Sequence, residues 1–418
     1  MLKFSQDQNV KLNNFCLYLM VFVTMLGPLV YVGIASLYHF VYIALMLIIV
    51  YKGINTRDYK TAIMRFLLLW FAESFVSVLW APDKMVALQY IYYIFLILCS
   101  CVLFHYFLSR DNFEAFMHVM VLILFVCNLV AFWEVKTGNH LFTDYLSTPL
   151  RMRVLKYVPC AFFWNPNGLA TYIIQILPFS FVGISSRKIW IRIISGFNLI
   201  ASFFSICAAQ SRTQIILIFV LYIFFAMISR RKVILKCGLF AIAVSVLLYF
   251  TYPDFNSLIN DAMKSVTGES VASSLNNDGG SLNIRVNLMK NAGYILLDTF
   301  GFGIGAGCHR VVMPEYSALY FDTHGILPMH NLLGEIFVDY GILMGMAFII
   351  VIITSCRSLH RIYRSDHEKN IRMLAIMLEI SLALMIVCGL SSSSLIQTTS
   401  MWFVFCFTSA FINIYKTK

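Results

Sequence analysis

Met329–Thr354 reads MHNLLGEIFVDYGILMGMAFIIVIIT. A polar opening, Met329-His330-Asn331, gives way to a run that is apolar apart from Glu335 and Asp339. A run of about 20 such residues is long enough to cross the roughly 30 Å hydrocarbon core of a bilayer. His330 therefore stands at the mouth of a membrane helix, downstream of a polar segment carrying Arg285. That placement points to chemistry at the membrane–water boundary.

Similar runs recur along the 418 residues, of which 60% are hydrophobic and only 12% charged. A soluble surface at this length needs far more charge. The runs fall at roughly 15–33, 34–51, 62–80, 86–108, 113–133, 158–185, 190–208, 213–229, 234–252, 331–355, 372–390 and 397–415. The expectation is an all-α, polytopic membrane protein with about twelve transmembrane helices. The ten-residue alternation of a transmembrane barrel is missing from the sequence. Lys3 and Lys11 precede the first run, but no small-residue cleavage site does, so it reads as a retained helix.

Charge orients the bundle. Of 31 Lys and Arg, 21 fall on the side that includes both termini and ten on the other. Basic residues accumulate in cytoplasmic loops, so both termini are expected in the cytoplasm. The net charge of +11 then reflects topology and anionic lipid, not nucleic acid. The long connections, about 134–157 and 253–330, face outside, and the working face is expected there. Three regions result: helices one to nine over 1–252, a large outer loop over 253–330, and the last three helices over 331–418. Within the loop, Asn276-Asn277-Asp278-Gly279-Gly280 is a turn cluster. Ser281 after it predicts an amphipathic helix with Leu282, Val286 and Met289 on one face and Arg285 in its first turns.

Several polar residues stand out against this background. Arg212, between two apolar runs, belongs at the boundary, either snorkelling or binding an anion, for which a planar guanidinium suits phosphate. Arg151, Arg153 and Lys156 are further outer cations that fit anionic head groups or an anionic substrate. Asn165-Pro166-Asn167-Gly168 is either a helix start with Asn caps or a break that turns backbone groups into a cavity. His330 is either a satisfied interface histidine or a general base. Glu335 and Asp339 lie one turn apart, and Glu73 and Glu379 are further acids within apolar runs that could pair with Arg. The eleven Cys lie mostly within apolar runs and read as small buried hydrophobes; a pairing of Cys160 with Cys308 is left open. The outer histidines His140, His309, His324 and His330 lack tight ligand spacing, so no metal centre is expected.

Together these motifs resemble the O-antigen ligase and polymerase superfamily of bacterial surface-polysaccharide enzymes. The resemblance rests on Ser211-Arg212 at a helix end, on Arg285 in Asn283-Ile284-Arg285, and on the Gly-rich stretch Gly301 to Gly307. His330-Asn331, with Tyr340-Gly341 further along, completes it. It implies glycan transfer from a polyprenyl-diphosphate carrier to a sugar hydroxyl, or to lipid A-core, at the outer face of the bacterial cytoplasmic membrane. It implies neither metal nor cofactor, and for a polymerase a chain-length regulator as a partner. His330 would be the base, and Arg212 and Arg285 would grip the diphosphate with help from Arg151 or Arg153. Asn165, Asn167, Asn331 and Glu335 would complete the substrate contacts. Asn165-Pro166-Asn167-Gly168-Leu169-Ala170 looks more like the capsule, exopolysaccharide and teichuronic-acid polymerases than the lipid A-core ligases. A transporter for the same lipid-linked sugar would instead carry internal repeats and paired broken helices. A non-catalytic membrane scaffold is the remaining alternative.

Overall fold

The computed structural model describes residues 6–26, 31–32, 35–52, 60–141, 156–163, 165–229, 281–365, 367–389 and 395–416. Apart from a two-residue pairing of Tyr31–Val32 with Ala35–Ser36, its regular structure is helical. The helices are α1 (Gln6–Leu26), α2 (Leu37–Lys52), α3 (Ala62–Ser77), α4 (Lys84–Phe107), α5 (Phe113–Thr137), α6 (Pro166–Gly183) and α7 (Ile189–Ala208). After them come α8 (Arg212–Ser229), α9 (Ser281–Asp298), α10 (His309–Leu319), α11 (Leu332–Arg364), α12 (Lys369–Gly389) and α13 (Phe403–Tyr415). Five of them, α4, α5, α7, α11 and α12, are long and apolar enough to cross a membrane. Each expected span except 234–252 overlaps a described helix, though only these five have the length and hydropathy of a full span. Residues 234–252 lie outside the described residues, as do Arg151, Arg153 and the first part of the large loop, 253–280.

Local chemistry sets the helix ends. The Thr61 hydroxyl accepts from Met64 N to start α3, and the Asp83 carboxylate accepts from Met85 N and Val86 N to start α4. Gly138, at φ 66°, ends α5 in the left-handed region where a side chain is costly. The α6 span begins later than its hydropathy implies. Pro166 sits at the first turn, Asn165 caps it by accepting from Gly168 N, and Pro disfavours helical backbone at the residue before it. Asn165 therefore makes a helix start, and Val158–Phe163 stays non-helical.

α6 lies at the centre: every residue from Gly168 to Gly183 is buried, against α5, α7, α8 and α12. Polar side chains tie helices together where water would not reach. Asn128 Nδ2 donates to Ser202 Oγ and Ser205 Oγ donates to Asn128 Oδ1, joining α5 to α7. Thr24, Tyr42 and Ser100 link α1, α2 and α4 at 2.8 Å steps. The outside of the bundle is apolar, with Leu343 83% and Leu47 64% exposed. A surface of that kind belongs in lipid, and the chain is a multi-pass membrane protein.

α9 is the amphipathic helix expected in the loop, but it buries the other face. Ile284, Leu288, Ala292 and Ile295 point inward, while Val286 and Met289 are exposed. Both stripes have helical spacing, and docking against α10 and α11 selects between them.

Candidate active site

The site is built on a broken helix. α11 is interrupted at Gly341, whose φ of 83° and ψ of 172° release carbonyls from the helical ladder. The Gly-rich stretch captures them: Ile304 N donates to Val338 O at 2.9 Å and Gly305 N to Asp339 O at 3.0 Å, while Ile342 N donates to Gly301 O at 2.8 Å. The fit admits no side chain, since a Cβ on Gly341 would meet Gly301 O and Phe302 O at 2.6 Å each. The alternating glycines thus act by backbone docking, not as a phosphate cradle. Trp80 Nε1 donates to Gly303 O at 3.0 Å and secures the outer end of α3 to the same stretch.

This docking delivers the start of α10 to the first half of α11. His309 Nδ1 lies 2.8 Å from Asp339 Oδ2, and His309 N donates to Asp339 Oδ1 at 2.9 Å. Both side chains are fully buried. Burial alone would disfavour a charged imidazole, but the Asp339 carboxylate outweighs it and, with Glu335, lifts the His309 pKa above its ordinary value. His309 Nε2 has no hydrogen-bond partner among the described residues. Glu335 is buried one turn before Asp339, and Tyr90 of α4 stands in the field of Glu335, Arg310 and Asp339. Gln397 Nε2 donates to the Tyr90 hydroxyl at 2.9 Å.

His330 sits above this group, half-buried, in the left-handed region at φ 49°. Non-glycine residues there are uncommon and worth a functional question. Asn331 follows as the N-cap of α11, accepting from Leu333 N and Gly334 N. Its Nδ2 lies 3.1 Å from Met289 Sδ on α9, one turn from Arg285. α9 is fastened to the segment leading to His330: Asn287 Nδ2 donates to Asp322 O and Asn291 Nδ2 to Phe321 O, each at 2.8 Å, and the Lys290 ammonium lies over the Phe321 ring. Arg285 and Arg310 thereby converge electrostatically on His330. Burial, reinforced by their two positive charges, pushes the His330 pKa down to about 4. The imidazole is neutral at physiological pH, with a lone pair available.

The structure brings together His330, Arg285, Asn331 and Glu335 of the expected set and adds Arg310 and the His309–Asp339 pair. Arg310 carries no motif of its own that would mark it as a site residue. Its place directly after the Gly-rich stretch was the available signal. Ser211-Arg212 opens α8 after Gln210, itself at φ 53°. Ser211 Oγ donates to Asn167 Oδ1 at 2.7 Å, and Gln214 Nε2 donates to Thr171 Oγ1 at 2.9 Å. Asn167 thus ties the start of α6 to the start of α8, while Asn165 caps α6 itself. Glu379 meets His360 at 3.2 Å and not an Arg. The pairing left open between Cys160 and Cys308 is not formed: Cys308 Sγ faces Asp83 O, and Cys160 lies beside Glu134. Glu134, His140 and Cys160 form a group whose ligand atoms all lie within 4.8 Å of one another, which spacing along the chain conceals.

Residues 197–350 match the protein family described as O-Antigen ligase. The matched stretch runs from α7 past the Gly341 break and contains Ser211-Arg212, Arg285, the Gly-rich turns and His330. Over 378 residues the chain is 25% identical to the teichuronic acid biosynthesis protein TuaE of Bacillus subtilis (strain 168), covering 85% of this chain and 72% of that protein.

Proposed function

From this likeness to the O-antigen ligase and polymerase superfamily, which both comparisons bear out, we infer that the chain is a glycosyltransferase of polysaccharide biosynthesis. It takes glycan from a polyprenyl-diphosphate carrier and places it on an acceptor sugar hydroxyl at the outer face of the bacterial cytoplasmic membrane. The polymerase reading is preferred: the relative that spans most of the chain is named for teichuronic acid biosynthesis. Transfer to a lipid A-core acceptor is the second reading, supported by the description of the family that residues 197–350 match.

The reaction is carried by His330 at the start of α11, where burial and the positive fields of Arg285 and Arg310 push its pKa down to about 4. The acceptor hydroxyl gives its proton to the imidazole as its oxygen attacks the anomeric carbon. The bond from that carbon to the diphosphate oxygen breaks, and the diphosphate leaves with the electron pair. A one-step attack of this kind inverts the anomeric centre. The guanidinium groups of Arg285 and Arg310, with Arg212 as a further candidate, neutralise the departing charge. This division of labour needs no metal at the transfer centre. The donor also tunes the base. An anion between the arginines cancels the field that depresses the His330 pKa, so its basicity rises when substrate is bound.

The test uses purified protein in detergent with a lipid-linked oligosaccharide donor. Glycan growth on the lipid is expected without a second compartment, and a strict requirement for sealed vesicles would point to a transporter. His330→Gln keeps shape and hydrogen bonding but cannot accept the proton at neutral pH. It should lose about 10²- to 10⁴-fold in rate while still binding donor. Near-normal turnover would reduce His330 to a positioning role.

A further inference from the structure

Glu134, His140 and Cys160 stand at the outer end of α5 and in the non-helical segment before α6. All three side chains are buried. His140 Nδ1 lies 3.5 Å from Glu134 Oε1 and 3.7 Å from Cys160 Sγ, and Cys160 Sγ lies 3.9 Å from Glu134 Oε1. The nitrogen–oxygen separation is too long for a hydrogen bond. Zinc bonds of about 2.0–2.1 Å to nitrogen and oxygen and about 2.3 Å to sulfur give tetrahedral edges of about 3.3 Å and about 3.6 Å. The three separations each match that triangle to within roughly 0.3 Å.

The surroundings orient the donors. His140 Nε2 faces Lys156 O at 2.8 Å. A carbonyl can only accept, so Nε2 carries a hydrogen and Nδ1 is the nitrogen turned toward the carboxylate and thiol. Metal-bound histidines are held in this way by a hydrogen bond at the far nitrogen. Glu134 Oε2 accepts from Cys160 N and Ala161 N at 2.7 Å each, and Oε1, which also accepts from Leu141 N at 3.3 Å, faces the other two groups. One imidazole nitrogen, one thiolate and one carboxylate oxygen form a mixed donor set suited to zinc.

We propose that Glu134, His140 and Cys160 bind a zinc ion, with water as fourth ligand, that clips together the two ends of the outer connection between α5 and α6. Binding displaces the Cys160 thiol proton to solvent, so affinity falls as pH drops. The site stands on its own geometry and holds whether or not the glycosyl-transfer reading does.

The full chain, purified with an affinity tag free of histidine and stripped with EDTA, should take up about one equivalent of zinc by elemental analysis. Loaded with cobalt(II) instead, it should show tetrahedral visible bands and a thiolate charge-transfer band. Cys160→Ser should abolish the charge-transfer band, and His140→Ala should lower metal retention by at least about tenfold. The cobalt spectrum of the unaltered chain decides the matter even where a variant fails to fold. Substoichiometric uptake, a cobalt spectrum lacking the thiolate band, or equal uptake by Cys160→Ser would mean adventitious metal only and would overturn the proposal.

Discussion

The His309–Asp339 and His140–Glu134 pairs are both fully buried, yet their nitrogen–oxygen separations are 2.8 Å and 3.5 Å. At the shorter distance a proton lies between the partners, and the carboxylate both orients the ring and favours its charged form. At the longer distance no direct bond is made, a thiol stands third, and the far nitrogen is held by a backbone carbonyl. The same two residue types thus make an orienting pair beneath one site and a cradle for a cation at another. Spacing and the third neighbour decide, and neither can be read along the chain. The comparison also separates charge environments. Glu134 places its second oxygen on two backbone N–H groups, whereas the His309–Asp339 pair shares its surroundings with the charges of Glu335 and Arg310.

The comparison can be broken most directly at the cations. On the proposed mechanism, Arg310→Gln and Arg285→Ala each remove a charge-assisted contact to the diphosphate, worth about 1.5–3 kcal/mol, or about 10- to 100-fold in rate. They also move the pH profile. His330 works when neutral, so kcat/KM falls as pH drops through its pKa, near 4 in the intact protein. Removing either Arg should shift that acid limb upward, toward the ordinary histidine value of about 6.5. An unshifted limb in both variants would show that the titrating base is not His330.

Asp339→Asn probes the orienting pair with shape retained. Without the carboxylate, His309 loses the charge that raises its pKa, and burial alone disfavours its charged form. The expected loss is about tenfold in kcat with donor KM little changed. A rise in KM alone would place the pair in donor binding instead.

The smallest activity effect is expected at the break that makes the pair possible. Gly341→Ala puts a Cβ 2.6 Å from two carbonyl oxygens at a φ of 83°. The strain costs on the order of 1–3 kcal/mol and should appear as a lower apparent Tm in detergent, with residual activity per folded molecule close to normal. An unchanged Tm would mean that the Gly-rich stretch is not docked on α11 as described.

Hydropathy alone determined the membrane class and nearly every described helix, because crossing a bilayer requires a contiguous apolar run and that property is local to the chain. Short motifs likewise placed Arg285, His330 and Asn331 in one neighbourhood, since the last two open a helix and the first lies on the loop helix before it. Tertiary structure decided the rest. Nothing local distinguishes Arg310 from other outer cations, or chooses Ile284 and Leu288 over Val286 and Met289 as the inward stripe of α9. The pairing of His309 with Asp339 depends on carbonyls freed at Gly341 being met by the Gly-rich turns, a contact between segments some thirty-five residues apart. The Glu134, His140 and Cys160 group likewise exists only once the segment before α6 folds back onto the end of α5. Local patterns state which residues prefer lipid or helix; which polar groups become neighbours is set by where the helix ends are brought together in space.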